Sequence, residues 1–168
     1  MHFLLKLKSW QLFILMVIIP WAFNNFSNFS LFGLFLTLLI NLGWMHSIAT
    51  TMHSMIPASV KPSVTYFRYG CFLMVLSTIL ISISLADNLN NPTLTAWLLV
   101  TGSLVYLVSF TYVCSFSARM VESMLQGEIL GNSDSLKGIL CFWIYPIGLW
   151  YVQPAVRRIL AQYDKQIV

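Results

Sequence analysis

At 168 residues, with 58% hydrophobic and only 8% charged side chains, the chain lies far from soluble domains, which run at about 45–50% apolar and about 25% charged. Water cannot be its main solvent, and it reads as an all-α integral membrane protein. The length holds at most about five spans of ~20 residues, which excludes a separate soluble catalytic domain, and the net charge of +4 comes from nine scattered Lys and Arg, a pattern of membrane orientation that argues against nucleic acid as a partner.

The first predicted element is an apolar helix over residues 10–23, preceded by Lys6 and Lys8. Trp21-Ala22-Phe23-Asn24-Asn25 lacks the small-residue pattern of a cleavage site, so the helix is read as an uncleaved first span. A short uncharged connector, residues 24–30, predicts a helical hairpin with the second span. Its two N-x-S triplets, at Asn25 and Asn28, are read as chance matches.

Span two, residues 31–51, carries Thr37, Asn41 and His46. An amide in hydrocarbon needs partners, so Asn41 is expected to face other helices and is a candidate functional polar residue. His46 and His53 stand seven positions apart, which places both on one helical face. They could begin a metal or proton-relay site, but no carboxylate or thiol lies near them in sequence to complete one. The favoured reading is a pair of interfacial histidines hydrogen-bonded to backbone or water, with no metal or cofactor.

The loop over 52–69 is cationic through Lys61 and Arg68 and has room for a short surface helix. Span three, residues 69–86, presents Ser77, Ser82 and Ser84 as a packing face. A turn-rich connector bearing Asp87 follows, then span four over 94–117, with Gly102 and Ser103 as a close-contact point. Beyond it, residues 118–126 form an amphipathic extension in which Arg119, Glu122 and Gln126 are expected to face water. Gly127 and Gly131 end it, and Ser133 or Asp134 is expected to cap the next element. Cys71, Cys114 and Cys141 all sit in apolar runs and read as small hydrophobes, not as a disulfide or metal framework.

The stretch from 136 to 158 decides the topology. With spans one to four crossing and the N-terminus cytoplasmic, Lys6, Lys8, Lys61, Arg68, Arg119 and Lys137 all lie inside, and the outer connectors hold only Asp87. That is a clean positive-inside pattern. If residues 138–156 crossed as a fifth span, Arg157, Arg158 and Lys165 would move outside and spoil it. Pro146 and Gly148 are expected to break a straight helix there, and Trp143, Tyr145, Trp150 and Tyr151 favour headgroup level. The predicted fold is therefore four transmembrane helices over 1–117, then a cytoplasmic-side segment over 118–168 with an amphipathic helix, a re-entrant or interfacial element and a basic tail. The alternative is five transmembrane helices. In the tail, Pro154 is expected in the first turn of a surface helix whose Arg157 and Arg158 contact anionic lipid headgroups.

The run Trp143-Ile144-Tyr145-Pro146-Ile147-Gly148-Leu149-Trp150-Tyr151-Val152-Gln153-Pro154 resembles the C-terminal aromatic-x-x-Pro-Ile-Gly-x-Trp-x-x-Gln-Pro signature of small uncharacterised bacterial inner-membrane proteins. The resemblance covers roughly twenty residues and implies a bacterial inner membrane, without an activity.

Three classes of function are compatible with this reading. With five acidic residues in all and no converging acids, bases or metal ligands, the chain reads foremost as a non-catalytic membrane subunit or scaffold, self-associating or serving a larger complex. An oligomeric pore or transporter component, lined by Thr37, Asn41 and the serines of span three, is the alternative. A membrane-embedded enzyme ranks last.

Overall fold

The computed structural model describes residues 3–25, 30–57, 61–85, 91–131 and 135–167, and every regular element among them is helical. Three helices are long and apolar enough to cross a membrane: Phe35–Met55, Thr65–Leu85 and Pro92–Gln126. The first apolar helix, Ser9–Phe23, is shorter. The chain divides into two compact units, one formed by Met1–Pro62 with Cys114–Val168 and the other by Ser63–Val113. This division follows packing and runs across the membrane boundary expected near residue 117.

The first unit opens with α1 (Phe3–Lys6) and α2 (Ser9–Phe13), continues through a π-helical turn at Ile14–Ile18, and resumes as α3 (Ile19–Asn25). Pro20 explains the π turn. Its ring has no N–H and collides with the carbonyl four residues back, so the turn before it widens and the Ile19 amide bonds to Ile14, five residues back. A π turn takes up such a mismatch without breaking the helix. α3 packs along α4 (Ser30–Met55), with Phe23 edge-on to Phe32 at 5.3 Å, in agreement with the expected hairpin. Along α4 the hydroxyls of Thr37, Ser47 and Thr50 turn back to the carbonyls of Gly33, Gly43 and His46. Such local bonds let polar side chains sit in an apolar helix without leaving donors unmet.

The second unit is a helix pair, α5 (Thr65–Leu85) and α6 (Pro92–Gln126) as far as Val113. α6 starts on an Asn91 cap whose Oδ1 accepts from the amides of Thr93 and Leu94, and Pro92 at the first helical position loses nothing by lacking a donor. Two glycines set the closeness of the pair. A Cβ at Gly70 would lie 3.2 Å from both Tyr112 and Val113, and one at Gly102 would lie 3.1 Å from Ile81. Ser77 and Ser84 are buried and bond to the carbonyls of Leu73 and Leu80, as expected of a packing face.

From Cys114 onward α6 belongs to the first unit. It ends at Gly127, whose φ of 74° is a left-handed cap that glycine alone adopts freely, and whose amide bonds back to Ser123. The expected wet stripe is divided here. Gln126 is exposed, but Glu122 retains only 8% of its accessible surface, because Gly138 of α7 (Leu136–Trp143) lies directly against it. A Cβ on Gly138 would approach Glu122 Oε1 to 2.8 Å. Ser135 occupies the N-cap position of α7 but turns its hydroxyl to the Gly131 carbonyl instead of capping. Ser133 and Asp134, expected in that role, lie outside the described residues, as do the connectors at 26–29 and 86–90.

α7 is separated from α8 (Tyr145–Ile167) by Ile144, with φ −95° and ψ 56°. The interruption expected at Pro146 and Gly148 therefore falls just before them. Pro146 sits in the first turn of α8, where no amide donor is required. Gly148 faces the Cys141 backbone so closely that any Cβ would collide with the carbonyl. α7 and α8 thus form a tight helical hairpin, not one straight helix over 138–156. α8 then runs through Pro154, so the tail helix begins nine positions earlier than Pro154 suggested, and that proline lies in its interior.

Candidate functional site

The buried polar centre of the first unit is Gln153. Its side chain is wholly inaccessible, an expensive position for an amide unless every polar atom is met. Nε2 donates toward the carbonyls of Leu7 at 2.8 Å, Leu5 at 3.0 Å and Leu4 at 3.3 Å, two hydrogens divided among three acceptors. Oε1 accepts from Trp44 Nε1 at 3.0 Å. The last carbonyls of a helix have no intrahelical donor, and those around the end of α1 receive theirs from a residue 146–149 positions away. One side chain thus ties the N-terminal segment, α4 and α8 together. Around it, Trp44 meets Phe142 at 5.4 Å, Phe13 meets Trp150 edge-on at 5.1 Å, and Leu149, Val152 and Val156 are buried.

Next to this node the same elements line an open hollow of about 630 Å³ whose lining includes Lys6, Thr51, Met55, Arg157 and Tyr163. A second hollow, of about 490 Å³, is lined by Met55–Pro57 and by Ser123, Met124 and Gly127–Ile129. Both touch the end of α4, so the end of α1, the end of α4, the end of α6 and the second half of α8 share one end of the unit. The segment after α6 is held there as well: Arg119 Nε donates to the Leu130 carbonyl at 3.1 Å, and the Leu130 amide donates to Ser123 Oγ at 3.1 Å.

The residues singled out from sequence fall in different places. Asn41 is buried in α4 with Nδ2 on the Thr37 carbonyl at 3.1 Å, and its Oδ1 has no partner among the described residues. His46 and His53 are both half-buried on α4. His53 Nε2 lies 2.7 Å from the Pro62 carbonyl; a carbonyl only accepts, so Nε2 carries the proton and fastens the segment after α4 to the helix. Among the described residues no group of three or more His, Cys, Asp or Glu side chains could hold a metal. Cys71, Cys114 and Cys141 are free thiols. Arg157 and Arg158 are both exposed, but only Arg157 lines the larger cavity. Lys137 of α7 stands over the Tyr151 ring of α8 at 4.6 Å, a cation–π contact.

Gln153, Trp44 and Lys6 were not singled out as site residues from sequence. The signal for Gln153 was the one that marked Asn41, a lone amide in an apolar run, but its partners at Leu4–Leu7 are too distant in the chain for any local pattern to disclose. No protein-family model matches this chain, and neither a curated protein nor a solved structure matches it.

Proposed function

We propose that the protein is a non-catalytic polytopic subunit or scaffold of a bacterial inner membrane, with a cytoplasmic N-terminus, that assembles with copies of itself or with other membrane subunits. The observation that carries this reading is the exposure of the second unit's helices. The best spanning windows of α5 and α6 bury only 28% and 22% of their residues, against 50% for α4. Residues such as Phe72, Leu76, Trp97, Leu104 and Val108 present their apolar side chains outward, a surface suited to lipid and to neighbouring helices. The polar groups that are organised around Gln153 tie helices together.

In this reading Ser9–Phe23 is a short fourth span and α7–α8 is a re-entrant hairpin. Support comes from the common end of the first unit, where Ser123–Ile129, which precede the hairpin, and Arg157–Tyr163, which follow its break, both lie beside Met55. A chain that leaves and returns to one end has not crossed. The positive-inside count then keeps all nine cations on one side. α6, at 35 residues and 1.5 Å per residue, spans roughly 50 Å and so projects beyond a core of ~30 Å at its Arg119 end.

A pore draws less support. Of its proposed lining, Asn41, Ser77 and Ser84 are buried within one chain while Thr37 and Ser82 are half-buried, and the side chains of Thr37, Asn41, Ser77 and Ser84 donate to carbonyls of their own helices. Reconstitution discriminates: a single discrete oligomer without ion or solute flux in liposomes is expected, and selective flux would overturn the scaffold reading. For topology, a cysteine placed after Lys165 should be labelled only from the cytoplasmic side; labelling from outside alone sinks the re-entrant hairpin.

A further inference from the structure

We propose that the cavity between α1, α4 and α8 binds the phosphate ester of an anionic amphiphile, with Lys6 and Arg157 holding the phosphate and the apolar wall holding the first carbons of its chains. The two cations come from positions 151 residues apart and line one hollow of about 630 Å³, a volume within the range of small-ligand sites. Among the described residues no carboxylate lines that hollow. Two like charges facing one concavity repel unless an anion lies between them.

The remaining lining matches such an anion. Thr51 and Tyr163, both hydroxyl-bearing residues, line the hollow, and the Thr51 hydroxyl has no hydrogen-bond partner among the described residues, although those of Ser47, Thr50 and Ser54 all turn back to α4 carbonyls. Arg157 supplies a planar fork that suits two phosphate oxygens at once, and Lys6 a point charge. Leu5, Met55, Leu160 and Ala161 also line the hollow, which gives the site an apolar side that a free inorganic anion would not use. The Gln153 node fixes the spacing: it bonds to Leu4, Leu5 and Leu7, on both sides of Lys6, from a position one helical turn before Arg157.

The inference rests on reading this end of the unit as the cytoplasmic membrane surface, but its test does not. Full-length protein in a neutral detergent is titrated with dioleoyl phosphatidylglycerol, dioleoyl phosphatidylcholine and glycerol 3-phosphate, with binding followed by the shift in melting temperature. The phosphatidylglycerol should bind saturably. Lys6→Gln and Arg157→Gln should each weaken it about tenfold, the loss expected for one charge-assisted hydrogen-bonding partner. Arg157→Lys, which keeps the charge, should lose less, and Lys61→Gln, an equal charge change outside the cavity, should lose nothing. The melting temperature of each variant without ligand establishes that it folds. Equal binding of glycerol 3-phosphate, with the same dependence on Lys6 and Arg157, would support the phosphate site and assign it to a soluble ester; phosphatidylglycerol alone assigns it to lipid. Equal binding of the zwitterionic and anionic lipids, or an equal loss with Lys61→Gln, overturns the proposal. External labelling after Lys165 would refute the topology and leave a positive titration standing.

Discussion

The two units solve the same problem, helices with little hydrophobic drive to associate, by opposite means. In the first, a scarce polar side chain does the joining: Gln153 bonds to three carbonyls near the end of α1 and to the Trp44 indole. In the second, missing side chains do it: Gly70 and Gly102 let α5 and α6 approach to van der Waals contact, and the hydroxyls nearby serve only their own helices. Hydrogen bonds are directional and specify one partner, whereas close packing tolerates small adjustments. The first unit, which must gather four chain segments distant in sequence, uses the more exacting device. The second joins two consecutive helices, and proximity along the chain already selects the partner.

Substitutions can break this contrast in order of severity. Gln153→Leu should be the most damaging, because it leaves three carbonyls and the Trp44 N–H without their partner in a buried site; a loss of about 3–5 kcal/mol is expected, read as a large fall in melting temperature in detergent together with early proteolysis of the N-terminal segment. An unchanged melting temperature would show that the node is not what joins α1 to α8. Gly148→Ala should cost about 3 kcal/mol, since the new methyl meets the Cys141 backbone, which cannot rotate away, and α7 must separate from α8. Its signature is increased protease access between α6 and α7, without a change in the second unit.

Trp44→Phe keeps an aromatic ring beside Phe142 but removes the indole donor and part of the ring volume from a fully buried position, so a loss of about 2–3 kcal/mol is expected in the same melting assay. The smallest effect belongs to Gly102→Ala. The atom it approaches most closely is the Ile81 side chain, at 3.1 Å, which can yield, and alanine favours the helix by about 1 kcal/mol over glycine. A net change of roughly 0.5 kcal/mol or less is expected. If Gly102→Ala proved as harmful as Gly148→Ala, the second unit would be as exacting as the first and the contrast would fail.

Much of the helical outline was legible in the sequence because it depends on local properties. The apolar runs marked α4, α5 and α6, and the serine spacing in α5 identified a packing face that the hydroxyl bonds of Ser77 and Ser84 agree with. Pro146 and Gly148 announced a break, which occurs at Ile144 because the proline is better placed inside the first turn of the new helix than at its end. Glu122 was misread as water-facing because the pattern within α6 cannot anticipate that Gly138, sixteen positions later, covers it.

By itself, then, the sequence determined the helical class, the presence of helices apolar enough to cross a membrane and the approximate ends of those helices, since each follows from side-chain polarity over a window of adjacent residues. Only the tertiary structure decided that Gln153 caps a helix at the other end of the chain, that α7 folds back on α8, and that Lys6 and Arg157 share one cavity. These are meetings of distant residues, set by directional bonds and close packing. Composition and periodicity carry no information about which of many compatible partners a buried amide or an exposed cation will find.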